Sequence, residues 1–170
     1  MRHIIVVVAG LLSTSVMAQT VSTSSLDGCY FRKGQTSDIA AAESKLTTVY
    51  SHLNLKRLST TNMKFDLVVS GANFHGCSAQ GEVTLKKEGN SAFLELVRAD
   101  TDLLDQNSPI VEACRLRIYV NTRELITEDP NPNNPCNSVF VCGARAGVGG
   151  EHFLRRSKTT EKDAIRCSPS

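Results

Sequence analysis

The chain has 170 residues, enough to bury the core of one domain and hardly of two. Apolar residues make up 41% and charged residues 21%, which excludes a disordered chain. A net charge of +2 supplies no field to hold nucleic acid or an anionic membrane, and with aromatics at 5% and no Trp a sugar-stacking platform is not expected.

The first eighteen residues read as an address. Met1-Arg2-His3 is a short cationic start, Ile4 to Leu12 is an apolar run, and Val16-Met17-Ala18 places small residues at a cleavage site after Ala18. The apolar run is about half of a transmembrane span, and no other run approaches one, so no membrane insertion is expected. The leader carries no twin-Arg pair, and the residue that follows the cleavage site is Gln19, not Cys. The general secretion route and a periplasmic or secreted protein, without a lipid anchor, are expected. Residues 19–27 read as a flexible lead-in, and 28–167 as a single domain.

That domain reads as all-β and mainly antiparallel. Gly28 to Lys33 is a first strand. Ser37-Asp38 then opens an Ala-rich stretch, with Ile39, Ala42 and Leu46 on one stripe, which predicts a short helix near 38–47. Leu53 and Leu55, then Met63, Phe65, Leu67 and Val69, alternate with polar residues. Such alternation marks strands buried on one face, and Ser59 to Asn62 joins them as a hairpin. Val83 and Leu85 lead through Glu88-Gly89-Asn90 into Ala92–Val97, a second hairpin. Cys114, Leu116, Ile118 and Val120 face one way; Arg115, Arg117 and Tyr119 face the other. Arg123–Glu128, Val139–Cys142 and His152–Arg156 complete the strands. Many short strands suggest a small closed or nearly closed eight-stranded barrel, which removes exposed edges. The Gly-aromatic-Arg patterns around Gly28 and Gly150 are expected on the strands that close it. The long acidic connection from Val97 to Glu112 and the Pro/Asn-rich stretch from Asp129 to Asn137 are the loops where binding usually sits.

Export makes the six cysteines candidates for disulfides. No C-x2-C pair marks a zinc or redox site. Six cysteines allow fifteen pairings. Cys136 with Cys142 spans a short turn, Cys29 with Cys167 staples the ends, and Cys77 with Cys114 remains. The chain-entropy relation gives the long bridge about 5 kcal/mol and the short one about 2 kcal/mol.

Two stretches stand out as candidate sites. Asp100, Asp102 and Asp105 miss the spacing of a calcium loop, and nothing marks the paired carboxylates of a glycosidase. Ser70-Gly71-Ala72-Asn73-Phe74-His75 contains a Ser and a His, but without a nucleophile elbow or triad spacing; His75 reads as a hydrogen-bonded strand-end residue. The run from Cys142 through Gly150 is Gly-rich without being a phosphate loop. Its glycines read as tight packing before the last strand, and Arg145 as a half-buried donor to loop carbonyls, with a partner contact as its second role. No catalytic residue, metal or cofactor is expected.

The order Asn73-x-His75-x-Cys77-x-x-x-Gly81, Cys114-x-Leu116, Cys136, then Cys142-Gly143-Ala144-Arg145-Ala146 and a final aromatic strand resembles a group of small exported bacterial proteins over residues 28–156. The design also resembles the periplasmic lysozyme inhibitors of the C-type-specific family, which are signal-bearing, disulfide-stapled eight-stranded barrels. In that family a Ser-Gly-x-x-Tyr loop and a Lys-Gly turn enter the lysozyme cleft. Ser70-Gly71-Ala72-Asn73-Phe74 matches the first with Phe for Tyr; Lys87-Glu88-Gly89 approximates the second with Glu intervening. The resemblance implies a non-enzymatic inhibitor or immunity protein of a peptidoglycan hydrolase, with a partner face drawn from Ser70, Gly71, Asn73, Phe74, His75, Lys87 and Arg145. The alternatives are a small-ligand-binding barrel and a structural envelope protein. Nothing in the sequence sets the oligomeric state.

Overall fold

Alternating side chains dictate the architecture seen in the computed structural model, which describes residues 21–37, 46–98, 114–140 and 142–159. A helical turn, α1 (Thr23–Leu26), precedes β1 (Gly28–Ser37), β2 (Leu46–Arg57), β3 (Asn62–Ser70), β4 (Gly76–Glu88), β5 (Ser91–Arg98), β6 (Cys114–Val120) and β7 (Glu124–Glu128). A short helix, α2 (Pro135–Val139), then leads to β8 (His152–Leu154) and β9 (Lys158–Thr159). All pairings are antiparallel, in the order β8-β7-β6-β5-β4-β3-β2-β1-β9.

The nearly closed barrel is the expected one, with nine strands in place of eight. The difference lies at the seam. Residues 152–159 are one run, broken by a 3-10 turn at Arg155–Ser157. Its first part pairs Leu125 with Phe153, and its second part pairs Cys29 with Thr159. One short segment therefore bonds to both free edges of the sheet and closes it, as the matching patterns near Gly28 and Gly150 suggested. An ion pair between Arg32 of β1 and Glu151 spans the same seam. Burial pushes the Glu151 carboxyl above its ordinary range, against the pull of Arg32.

The period of two sorts the side chains. Met63, Phe65, Leu67 and Val69 point inward beside Leu53 and Leu55, and so do Leu116, Ile118, Leu125 and Phe153. Most of these are fully buried, so large side chains fill the barrel axis. Tyr30 joins them with its hydroxyl donating to the Leu26 carbonyl at 2.9 Å. Burial pushes its pKa up to about 12, partly countered by Arg155.

Several expectations are corrected. The lead-in over 19–27 contains the α1 turn, which is held because Leu26 is fully buried and Thr23 Oγ1 donates to the Ser59 carbonyl. Most of the helix expected near 38–47 lies outside the described residues; Leu46 and Thr47 begin β2. At the strand expected over Val139–Cys142, the described residues Val139, Phe140 and Cys142 form none: Pro135 starts α2, which runs through Val139, and the Cys136 amide donates to Asp129 Oδ2 at 3.0 Å. Pro suits a helix N-terminus, where its missing N–H is no loss.

The disulfides pair Cys77 with Cys142 and Cys114 with Cys136, not Cys77 with Cys114 and Cys136 with Cys142. The reason is α2, which turns Cys136 inward against the start of β6 and leaves Cys142 to continue toward β4. Cys29 is also disulfide-bonded; Cys167, its expected partner, lies outside the described residues, as do the signal segment and the acidic stretch around Asp100 to Glu112.

His52 lies on the outward row of β2 yet is 7% exposed. Its Nε2 has no hydrogen-bond partner among the described residues, since Asp66 Oδ2 stands 3.9 Å away. Burial holds its pKa below the ordinary 6.5, with Asp66 opposing. The unfolded chain therefore takes up this proton more readily than the folded one. Stability is expected to be flat above pH 6.5 and to fall as the pH drops from there toward the lower folded value. Urea unfolding across this range checks it: His52→Phe is expected to flatten that limb, and an unchanged slope in the variant refutes the assignment.

Candidate functional site

The two stretches singled out in the sequence meet at one end of the barrel. β3 ends at Ser70, β4 begins at Gly76, and residues 71–75 form the turn between them. Residues 142–147 lie against that turn. The Cys77–Cys142 disulfide ties them covalently, and the Gly143 amide donates to the Gly76 carbonyl at 3.1 Å. Packing is close enough to require glycine twice. A Cβ on Gly71 would stand 2.2 Å from the Arg145 carbonyl oxygen, and one on Gly143 would stand 2.9 Å from His75 Nδ1.

The turn is locally strained. Asn73 and Phe74 are successive residues with φ of 54° and 57°, a left-handed conformation that costs a non-glycine residue about 1–2 kcal/mol. Surrounding contacts hold it there. With its amide set by the hydrogen-bond network, Asn73 donates to the Ser37 carbonyl at 2.8 Å and accepts from Arg145 Nη1 at 2.7 Å. The Phe74 amide donates to Thr36 Oγ1 at 3.3 Å. Thus β1, the turn and the 142–147 segment form one fastened unit, and Phe74 projects from it with 57% of its surface exposed. A groove of about 340 Å³ runs beside it, between Phe74, His75, Val49 and Phe140.

The individual residues take distinct roles. The Ser70 hydroxyl donates to the Tyr50 carbonyl at 3.0 Å, so its proton serves the fold. Asn73 is likewise engaged internally. His75 packs under Gly143. Arg145 is exposed rather than half-buried, and its partner is the Asn73 side chain in place of loop carbonyls. Lys87 does not join the group. It lies eleven residues along β4 from Gly76, about 35 Å at 3.3 Å per residue, on the opposite end of the barrel.

The sequence reading missed a second outward cluster. Glu95 is 7% exposed on the outward row of β5, with Lys86 ion-paired to it and Arg117 Nε donating to it at 3.0 Å. Burial pushes its carboxyl up, and hydrogen bonds from Lys86 and Arg117 outweigh this, holding its pKa below the ordinary value. Arg117 also covers the Phe93 ring, 4.6 Å from the centroid, with Tyr119 tilted beside it at 5.5 Å. The cluster depends on the register between β4, β5 and β6, and no motif in the sequence announces it.

Among the described residues no group of three His, Cys, Asp or Glu could hold a metal ion, and no helix is long and apolar enough to cross a membrane. The two described disulfides fit an oxidising environment. Comparison with protein families, with curated proteins and with solved structures returned no match.

Proposed function

We propose that this is an exported, non-enzymatic binding protein that inhibits, or confers immunity to, a lysozyme-like peptidoglycan hydrolase. The observation that supports this reading best is the exposed Phe74 on a turn fastened by a disulfide and by the Ser37–Asn73–Arg145 bridge. A preorganised loop loses little conformational entropy on binding. A large exposed aromatic beside an arginine is the composition of an interface hot spot. A glycosidase cleft built on two carboxylates attracts the cationic Arg145, and Phe74 occupies the space of a substrate ring. Ser70, Gly71 and His75 then act as positioning residues, and Lys87 lies outside the contact.

The filled barrel axis weighs against the alternative of an internal ligand carrier. The test is a cell-wall lysis assay with a panel of lysozyme-like hydrolases and the oxidised protein. Inhibition of one of them is expected, with Phe74→Ala weakening it about thirtyfold, a loss of about 2 kcal/mol, at unchanged folding stability. No binding and no inhibition across the panel removes the reading.

A further inference from the structure

We propose a second binding site at the barrel end opposite Phe74, selective for a small hydroxylated anion: a carboxylate or phosphate carried on a polyol or sugar. This inference does not rest on the hydrolase reading. The β4–β5, β6–β7 and β8–β9 connections and α1 converge at that end and enclose a pocket of about 500 Å³, within the range of small-ligand sites.

Among the described residues Arg155 is the one charged residue in its lining. Its guanidinium donates through Nη1 to the Asn121 carbonyl at 3.3 Å, which orients the group while leaving further N–H donors in a planar fork suited to an oxyanion. Ser25, whose hydroxyl donates to the Ser22 carbonyl at 2.8 Å, and Tyr119, whose hydroxyl accepts from Arg117 Nη1 at 3.2 Å, line the pocket together with the polar residues Ser91, Thr122 and Asn90. These pair with ligand hydroxyls and add no negative charge.

The rim carries the same sign. Lys87 near the end of β4, Arg123 and Arg156 on turns, and Lys158 in β9, which donates to the Ser25 carbonyl at 3.4 Å, are exposed at this end. Of the carboxylates there, Asp27 accepts from the Arg57 amide, Glu88 lies 3.9 Å from Arg117, and Glu124 lies 3.0 Å from His152 Nδ1. A rim of cations around a cationic pocket concentrates anions at its mouth. Lys87, out of reach of the Phe74 face, finds its place here.

The experiment is a titration of the purified, oxidised protein with glucuronic acid, glucose 6-phosphate, glucose and inorganic phosphate at millimolar concentrations, followed by amide chemical shifts. At least one anionic sugar is expected to move the Asn90, Ser91 and Thr122 resonances. Glucuronic acid and glucose 6-phosphate separate a carboxylate source from a phosphate source. Glucose is expected to be silent and inorganic phosphate at least about tenfold weaker than the better anionic sugar. Ser91→Glu, at the exposed start of β5, is expected to weaken binding about tenfold or more by like-charge repulsion, and Phe74→Ala to leave it unchanged. Arg155→Gln tests the same anion contact where the fold tolerates it. Silence from both anionic sugars, equal binding of glucose, or equal binding of inorganic phosphate overturns the proposal.

Discussion

Replacing Cys77 and Cys142 together by alanine is expected to lower the free energy of unfolding by about 4 kcal/mol, because the bridge closes a loop of 65 residues and loop-closure entropy grows with length. The same change at Cys114 and Cys136, which close 22 residues, is expected to cost about 3 kcal/mol. Guanidinium unfolding of the two double variants checks both size and order. The larger loss also has a local signature. Without the bridge, only non-covalent contacts such as the Gly143–Gly76 hydrogen bond, the Asn73–Arg145 contact and the packing at Gly71 and Gly143 join the two segments, and the left-handed Asn73 and Phe74 are freed to relax. Amide exchange at Gly71 and Gly143 is expected to accelerate more than exchange in β6 and β7. Equal protection of these amides in the oxidised protein and the variant refutes the fastening role of Cys77–Cys142.

Phe153→Ala is expected to destabilise the protein by about 3–5 kcal/mol. Phe153 is fully buried and is the one buried side chain of a strand of three residues. The substitution opens a cavity at the seam and weakens both pairings of the closing segment. Phe74→Ala serves as the internal comparison. The same ring is lost from a site 57% exposed, and the unfolding midpoint is expected to stay nearly unchanged. Comparable midpoints for the two variants contradict the placement of Phe153 in the closure.

The barrel was legible wherever one face of a strand is buried. Met63 to Val69 and Cys114 to Val120 read correctly because a half-buried strand writes its period into the sequence. The run Val139–Cys142 misled because a few apolar residues fit a strand or a helix equally, and the decision came from Asp129 and Pro135 upstream. The cysteine pairing was not legible, since sequence proximity of Cys136 and Cys142 says nothing about the direction in which α2 turns them. The sequence marked both segments of the candidate site but not their contact. That contact depends on Gly71 admitting the Arg145 carbonyl and on positive φ at two non-glycine residues, neither of which a residue type reveals. Lys87 was grouped with the wrong end because the length of β4 is a property of the fold. Phe93 and Glu95 show the reverse failure: outward positions that alternation assigns to solvent are buried by Arg117 from a neighbouring strand.

The seam has a consequence for how the chain is made. Of the described strands β1 is synthesised first and residues 152–159 come last, yet these residues bond both β1 and β7. Until they emerge, the sheet has two open edges and no closed ring, so the nascent chain holds no completed barrel. A contact between residues this far apart in the chain is also among the slowest to form. A chain that stays open until these strands are available gains its protection from edge-to-edge association in the single step that seals it.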